Sequence, residues 1–143
     1  MNNKAIFVYG TLKRGFVRHY ALRDQRYLGT AKTEKKYGMY AISGYPAMVD
    51  ESAAEKSGVD SNNEIFGELY EVDDECIQEL DKIEGVIQGL FERKDVALNE
   101  ITFVGLPTNE HVWKNLNKKI AQSYFFKRNL NGAADCGSLW TQK

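Results

Sequence analysis

Apolar residues along this chain gather into short runs separated by glycine and polar breaks, a pattern of strands and turns more than of helices. Ala5-Ile6-Phe7-Val8 is continuously apolar and rich in β-forming types, which predicts a buried strand. It ends at Tyr9-Gly10-Thr11, and 9–15 reads as a loop. A short helix is expected over 20–23. Strands are expected over 26–33, 37–42 and 47–49, with Gly44 and Pro46 as punctuation. The polar stretch 51–63, with its adjacent Asn62 and Asn63, predicts a mobile surface excursion. Residues 65–72 form the next strand. Gly67 inside it signals a bulge or a close backbone approach.

The clearest helix runs over 73–84. Asp73 suits the N-cap, Asp74 and Glu75 sit in the first turn where the helix dipole favours acids, and Gly85 suits the position after the end. Segments 91–98 and 101–104 predict a hairpin around Asn99-Glu100. Residues 118–126 predict a strand with Ile120, Gln122, Tyr124 and Phe126 on one face. The tail beyond Asn129 predicts loose packing, with Leu139-Trp140 available to dock. Many short strands and few helices do not suggest a doubly wound sheet and predict instead an α+β domain, mostly β and partly barrel-like. One domain over 1–143 is expected, with a core over about 4–128.

Composition narrows the function classes. An apolar share of 43% lets the chain build a core without staples. Net charge is −1, so neither a nucleic-acid surface nor an anionic-membrane surface is expected. The basic clusters Lys13-Arg14 and 32–36 read as solvated faces. Cys76 and Cys136 are far apart and outside any CxxC pair, which points to a reducing compartment. The apolar run after Met1-Asn2-Asn3-Lys4 is too short for a signal peptide or a membrane span, so a soluble cytoplasmic protein is expected. His19, His111 and the two cysteines lack ligand spacing, so no metal is expected. No GxSxG-like turn supports a serine nucleophile.

Two local features carry chemistry. On the 73–84 helix the apolar stripe is Cys76, Ile77, Leu80 and Ile83. Glu84 lies four residues after Leu80 and seven after Ile77, within that stripe, whereas Asp74, Glu75 and Glu79 fall toward the polar side and Asp81 at the border. An inward carboxyl at a helix C-terminus has its charged form disfavoured both by burial and by the dipole. Its pKa then rises toward the range useful for proton transfer near neutrality. The same pattern also allows a frayed last turn with Glu84 in water. The second feature is Tyr9-Gly10-Thr11-Leu12, directly after a buried strand. Successive N–H groups there can converge on a carboxylate or an oxyanion, or form an ordinary strand-end turn.

These features recur in one order: Phe7-Val8-Tyr9-Gly10-Thr11-Leu12-Lys13-Arg14-Gly15, Tyr45-Pro46, Gly67-Glu68-Leu69-Tyr70, Leu80-Asp81-Lys82-Ile83-Glu84-Gly85, and Phe91-Glu92-Arg93. In that combination the chain resembles the γ-glutamylcyclotransferase-like (AIG2-like) family, and within it most resembles the γ-glutamylamine cyclotransferases, over about residues 5–126. The resemblance implies a small closed mixed β-barrel with flanking helices. It implies Glu84 as catalytic acid/base and Tyr9, Gly10, Thr11 and Leu12 as substrate-binding, with Tyr45, Phe91 and Tyr124 also at the pocket. The implied reaction releases 5-oxoproline and a free amine from a γ-glutamyl amine, without cofactor or metal, in a monomer or weak dimer. A cyclotransferase for γ-glutamyl amino acids or glutathione and a non-catalytic binding module are the alternatives. The chain departs from relatives at Phe91, where they commonly carry Tyr, in the longer gap 86–90, and at Arg18-His19, where many carry Asn-His.

Overall fold

A computed structural model describes residues 3–141. Its strands are β1 (Lys4–Val8), β2 (Arg26–Thr33), β3 (Gly38–Ile42), β4 (Tyr45–Val49), β5 (Phe66–Val72), β6 (Phe91–Phe103), β7 (Ile120–Phe126) and β8 (Ala134–Asp135). Its helices are α1 (Glu51–Ser57), α2 (Asp74–Ile83) and α3 (Glu110–Asn117), with a 3₁₀ turn at His19–Leu22. Strands β1, β5, β2, β6 and β7 close a barrel in that order, and β4, β3 and β8 form a small separate sheet. The barrel is mixed: β1 runs parallel to β7 and the other pairs are antiparallel. The α+β barrel with flanking helices is the architecture expected from the motifs. Among the described residues no helix is long and apolar enough to cross a membrane.

Strand β1 divides the interior by its alternation. Ala5 and Phe7, with Tyr9 beyond them, join one buried cluster with Leu69, Phe125 and the α3 residues Val112 and Leu116. Ile6 and Val8 join a second cluster with Cys76, Ile77 and Leu80 of α2. Gly67 serves a close approach: a Cβ there would overlap the Val8 carbonyl and lie 2.7 Å from the Phe7 ring. Any larger residue would push β5 away from β1, and with it the loop that β1 feeds.

Two expectations need correction, and one helix was not anticipated. The stretch 51–63 is not all loop. Asp50 accepts a hydrogen bond from the Ala53 N–H (3.0 Å) and Gly58 closes the helix at φ +68°, so α1 forms with only Ala54 fully buried. Segment 91–103 is one strand, not a hairpin. Phe91–Ala97 pairs with β7 and Leu98–Phe103 with β2, so Asn99 and Glu100 are strand residues where partners change. Helix α3 was not expected at all. Asn109 caps it, and Val112 and Leu116 hold it to the barrel, each such burial contributing roughly 1.5–3 kcal/mol. The tail is mostly exposed but is fastened at points: β8 pairs with β3, the Phe66 N–H donates to the Ser138 carbonyl (2.8 Å), and Trp140, available to dock, is buried while Leu139 stays half exposed.

Candidate active site

One recess opens where the loop after β1, the end of α2, the start of β4 and the middle of β7 meet. Tyr9, Gly10, Thr11, Leu12, Arg18, Tyr45, Pro46, Glu84, Ser123 and Tyr124 are among the residues lining it, and its volume out to the open mouth is about 360 Å³. Only about 20 Å³ of it is enclosed space that the centre of a water-sized molecule can occupy, well below the volume of a usual small-molecule site.

Glu84 is set there by the closure of α2. Asp73 accepts from the Cys76 N–H (2.8 Å) at the start of the helix. At its end the Glu84 N–H donates to the Leu80 carbonyl (2.9 Å) and the Val86 N–H to the Asp81 carbonyl (3.0 Å). Gly85 takes φ +67°, the left-handed conformation that closes helices. The last turn therefore does not fray, and Glu84 continues the inward stripe of Ile77 and Leu80. The residue keeps a partial opening to solvent, but its carboxyl is densely surrounded by protein. Burial pushes the carboxyl up to about 7, and Arg18 opposes the rise. The helix terminus, expected to share in the shift, is not among its causes. Among the described residues the carboxylate accepts no protein hydrogen bond, so its oxygens are available to a ligand.

The loop after β1 faces it. The Lys13 N–H donates back to the Gly10 carbonyl (3.1 Å), the Arg18 N–H to the Thr11 carbonyl (2.8 Å), and the His19 Nδ1–H to the Leu12 carbonyl (2.9 Å). The loop's carbonyls are thus tied down. Among the described residues the N–H groups of Gly10, Thr11 and Leu12 donate to no protein acceptor, and buried donors of this kind are costly unless something accepts from them. Gly10 is needed for space: a Cβ would overlap the Pro46 ring, so glycine lets the loop lie against β4. The backbone turn first suggested by this glycine needs no positive φ at Gly10.

Tyrosines brace the walls. The Tyr9 hydroxyl donates to the Tyr124 carbonyl (2.8 Å) and accepts from the Met48 N–H (3.1 Å), which joins loop, β7 and β4. Burial, then the charge of Glu84, pushes its phenol far up. The Tyr124 hydroxyl donates to Asp81 Oδ1 (2.6 Å), so burial and then this bond keep it neutral, and its proton is already committed. Arg93 holds Asp81 through Nε–Oδ1 (3.0 Å) and Nη2–Oδ2 (3.2 Å), and donates from Nη1 to Gln122 (2.6 Å). Burial alone would raise Asp81, but Arg93 and Tyr124 outweigh it and hold the carboxyl below the usual range. Ser123 donates its hydroxyl to the Phe7 carbonyl (2.7 Å), which leaves no free serine nucleophile there.

Of the residues expected at the site, Glu84, Tyr9, Gly10, Thr11, Leu12, Tyr45 and Tyr124 line this one recess. Phe91 does not. It is buried behind the wall, its ring 6.0 Å from that of Tyr45 and 5.4 Å from that of Phe126. A side chain at the start of β6 points into the α2 cluster, so Phe91 supports Tyr45 and does not line this recess. Arg18 as a lining cation and the Asp81–Arg93 brace were not foreseen. The acid-plus-arginine content of Leu80-Asp81 and Glu92-Arg93 was the only available signal for the brace.

Comparisons with known proteins point to the family that the motifs resemble. A family model described as "Gamma-glutamyl cyclotransferase, AIG2-like" matches residues 6–135. A Methanocaldococcus jannaschii protein provisionally named a gamma-glutamylcyclotransferase is 33% identical over 94 residues, covering 65% of this chain and 70% of the relative. A Vibrio cholerae protein with the same provisional name is 32% identical over 81 residues, covering 57% of this chain and 62% of the relative. Among solved structures, an AIG2-like protein from Mus musculus superposes with TM-score 0.63 at 20% identity, covering 90% of this chain and 78% of that one.

Proposed function

Because the chain belongs to the gamma-glutamyl cyclotransferase, AIG2-like family, we propose that it cyclises the γ-glutamyl half of an amide, releasing 5-oxoproline and a free amine, with Glu84 as acid and base. The observation that carries this reading is a buried carboxyl lifted to about 7 in the same recess as a row of unused main-chain N–H groups.

In this reaction the substrate α-nitrogen attacks its own γ-carbonyl carbon. A C–N bond forms in a five-membered lactam and the C–N bond to the leaving amine breaks. The α-ammonium gives up two protons in becoming the ring N–H, and the leaving nitrogen gains two in becoming an ammonium. No water is consumed. One of these protons is lost to solvent at the α-nitrogen and regained from solvent by the released amine; Glu84 as carboxylate takes the other from the α-nitrogen and returns it to the leaving nitrogen. A group with a pKa near the working pH does both without being trapped in one form. Nucleophile and electrophile share one molecule, so holding them in line supplies a large part of the acceleration; effective molarities of oriented intramolecular attack reach about 10⁵ M or more. The N–H groups of Gly10, Thr11 and Leu12 anchor carboxylate or carbonyl oxygens of the substrate. Tyr45 and the ring of Tyr124 wall the glutamyl carbons.

γ-Glutamyl amines, including γ-glutamyl-ε-lysine, are the first substrate class by resemblance. γ-Glutamyl amino acids are the second, favoured by the cation Arg18 in the recess. Incubation of the purified protein with both classes, with 5-oxoproline measured by chromatography, tests the reading. Turnover that falls by about 10²-fold or more in Glu84→Gln supports it. Absence of product from both classes, or full activity in Glu84→Gln, overturns it.

A further inference from the structure

Arg18 is an uncommitted cation in a small recess. Its backbone is fixed, because its N–H donates to the Thr11 carbonyl (2.8 Å) and its carbonyl accepts from Ala21 (3.2 Å). The next residue, His19, is locked by Nδ1 to the Leu12 carbonyl (2.9 Å), with its ring 5.9 Å from that of Tyr70. The guanidinium is not so bound. Among the described residues it donates no hydrogen bond and forms no salt bridge, in contrast to Arg93, which is fully engaged by Asp81 and Gln122. Glu84 is the acid that feels its charge. Arg18 is half-buried in the recess lining, and Val17 and Tyr20, beside it along the chain, are exposed, so this part of the loop borders solvent.

We propose that Arg18 is a specificity-determining residue, its guanidinium binding a carboxylate on the leaving group so that γ-glutamyl amino acids are preferred over γ-glutamyl amines. The inference rests on the cyclotransferase reading above. A planar guanidinium with its donors free matches a carboxylate through two parallel hydrogen bonds. The glutamyl half brings one carboxylate of its own, and the N–H groups of Gly10, Thr11 and Leu12 already offer donors for it. The second anionic subsite, nearer the solvent, falls to the part of the substrate that leaves. A leaving group with a free ammonium near the scissile bond and no carboxylate would meet an unfavourable charge instead.

The test compares γ-glutamyl-alanine with γ-glutamyl-alaninamide, which differ only in that carboxylate, in wild type and in Arg18→Gln and Arg18→Lys. Wild type is expected to favour the carboxylate substrate by on the order of tenfold or more in kcat/KM, chiefly through KM. That ratio is expected to fall toward one in Arg18→Gln and to be partly kept in Arg18→Lys, whose charge remains without the fork. A wild-type ratio near one overturns the proposal whether or not the variants fold. So does an equal loss on both substrates in Arg18→Gln, which assigns the guanidinium to the shared glutamyl end. Failure of wild type to release 5-oxoproline from either substrate, or from the simple γ-glutamyl amines, is the separate result that removes the cyclotransferase reading itself.

Discussion

At Glu84 the protein places a carboxyl where the carboxylate is hard to charge, the property asked of the proposed base. Burial lifts its carboxyl from the usual 4.5 to about 7, with Arg18 pulling the other way. Tyr9 and Tyr124 also face it, but both phenols are pushed up and stay neutral near pH 7. In the proposed reaction the working form is the carboxylate, so kcat/KM should rise with pH along a limb centred near 7. In Arg18→Gln that limb should move to higher pH. A wild-type profile flat from pH 5 to 8 would detach Glu84 from the chemistry. The same shift has a cost for folding. Between 4.5 and 7 the folded chain holds a proton at Glu84 that the unfolded chain has lost, so the contribution of this group falls as pH rises through that window. Glu84→Gln should therefore gain stability relative to wild type at pH 8 but not at pH 4, by up to about 3 kcal/mol and less to the extent that the partial opening hydrates the charge. Melting curves of both proteins at the two pH values check this, and an equal difference at both would mean the carboxyl is well solvated. The helical spacing in the sequence was enough to aim Glu84 inward. It could not say whether the last turn frays, because the closing bonds at Val86 and Gly85 depend on a conformation that spacing does not encode. Nor could it show Arg18 at the recess, since a loop carries no period.

Helix α2 reaches the barrel through charge as well as through its apolar stripe. Asp81 joins it to β6 through Arg93 and to β7 through Tyr124, both residues paired across the same ladder position. The Asp81–Arg93 pair is part-buried, with about a quarter of each side chain exposed, so its worth is modest. Asp81→Asn should lower stability by about 1 kcal/mol, a shift of a few degrees in Tm for a domain of this size. It should raise KM more than that loss suggests, because Tyr124 forms a recess wall and Glu84 sits three residues along the same helix. Asp81→Glu should recover the fold better than the KM, since its longer arm displaces the tyrosine. Unchanged KM in both variants would make the brace purely structural. Asp81 accounts for a motif residue that periodicity had left at a helix border. Elements whose apolar content is concentrated were legible, as with β1, β5 and α2. Helix α1 was not, because it buries little and is set by the Asp50 cap and Gly58. Strand β6 was misread at Asn99-Glu100 because two exposed polar residues look alike in a turn and in a strand that is changing partners.

Across the whole molecule, the recess depends on contacts between distant parts of the chain. Tyr45 and Pro46 form one wall from β4, β4 is held by β3, and β3 is paired on its other edge by β8. The tail beyond β8 is fastened twice more: Ser138 accepts from the Phe66 N–H (2.8 Å), and the Trp140 carbonyl accepts from Lys13 Nζ (2.7 Å), just past the Tyr9–Leu12 loop. Lys13 is itself buried, and burial holds its ammonium below the ordinary value, so losing that acceptor would leave a charge poorly compensated. Trp140→Ala should cost roughly 3 kcal/mol through the cavity it leaves. Removing residues 134–143 should cost more, because it deletes the β8 pairing and the Lys13 acceptor as well. Both variants should also show a raised KM for any γ-glutamyl substrate, since the β4 wall and the Lys13 end of the loop lose support together. The chemical step proposed for Glu84, at the end of α2, should be affected less than binding. Thermal melts with steady-state kinetics on the two proteins decide it. A loss of stability with KM unchanged would show the small sheet to be a packing element alone, and the β4 wall to be held by β7 and Tyr9 without help from the tail.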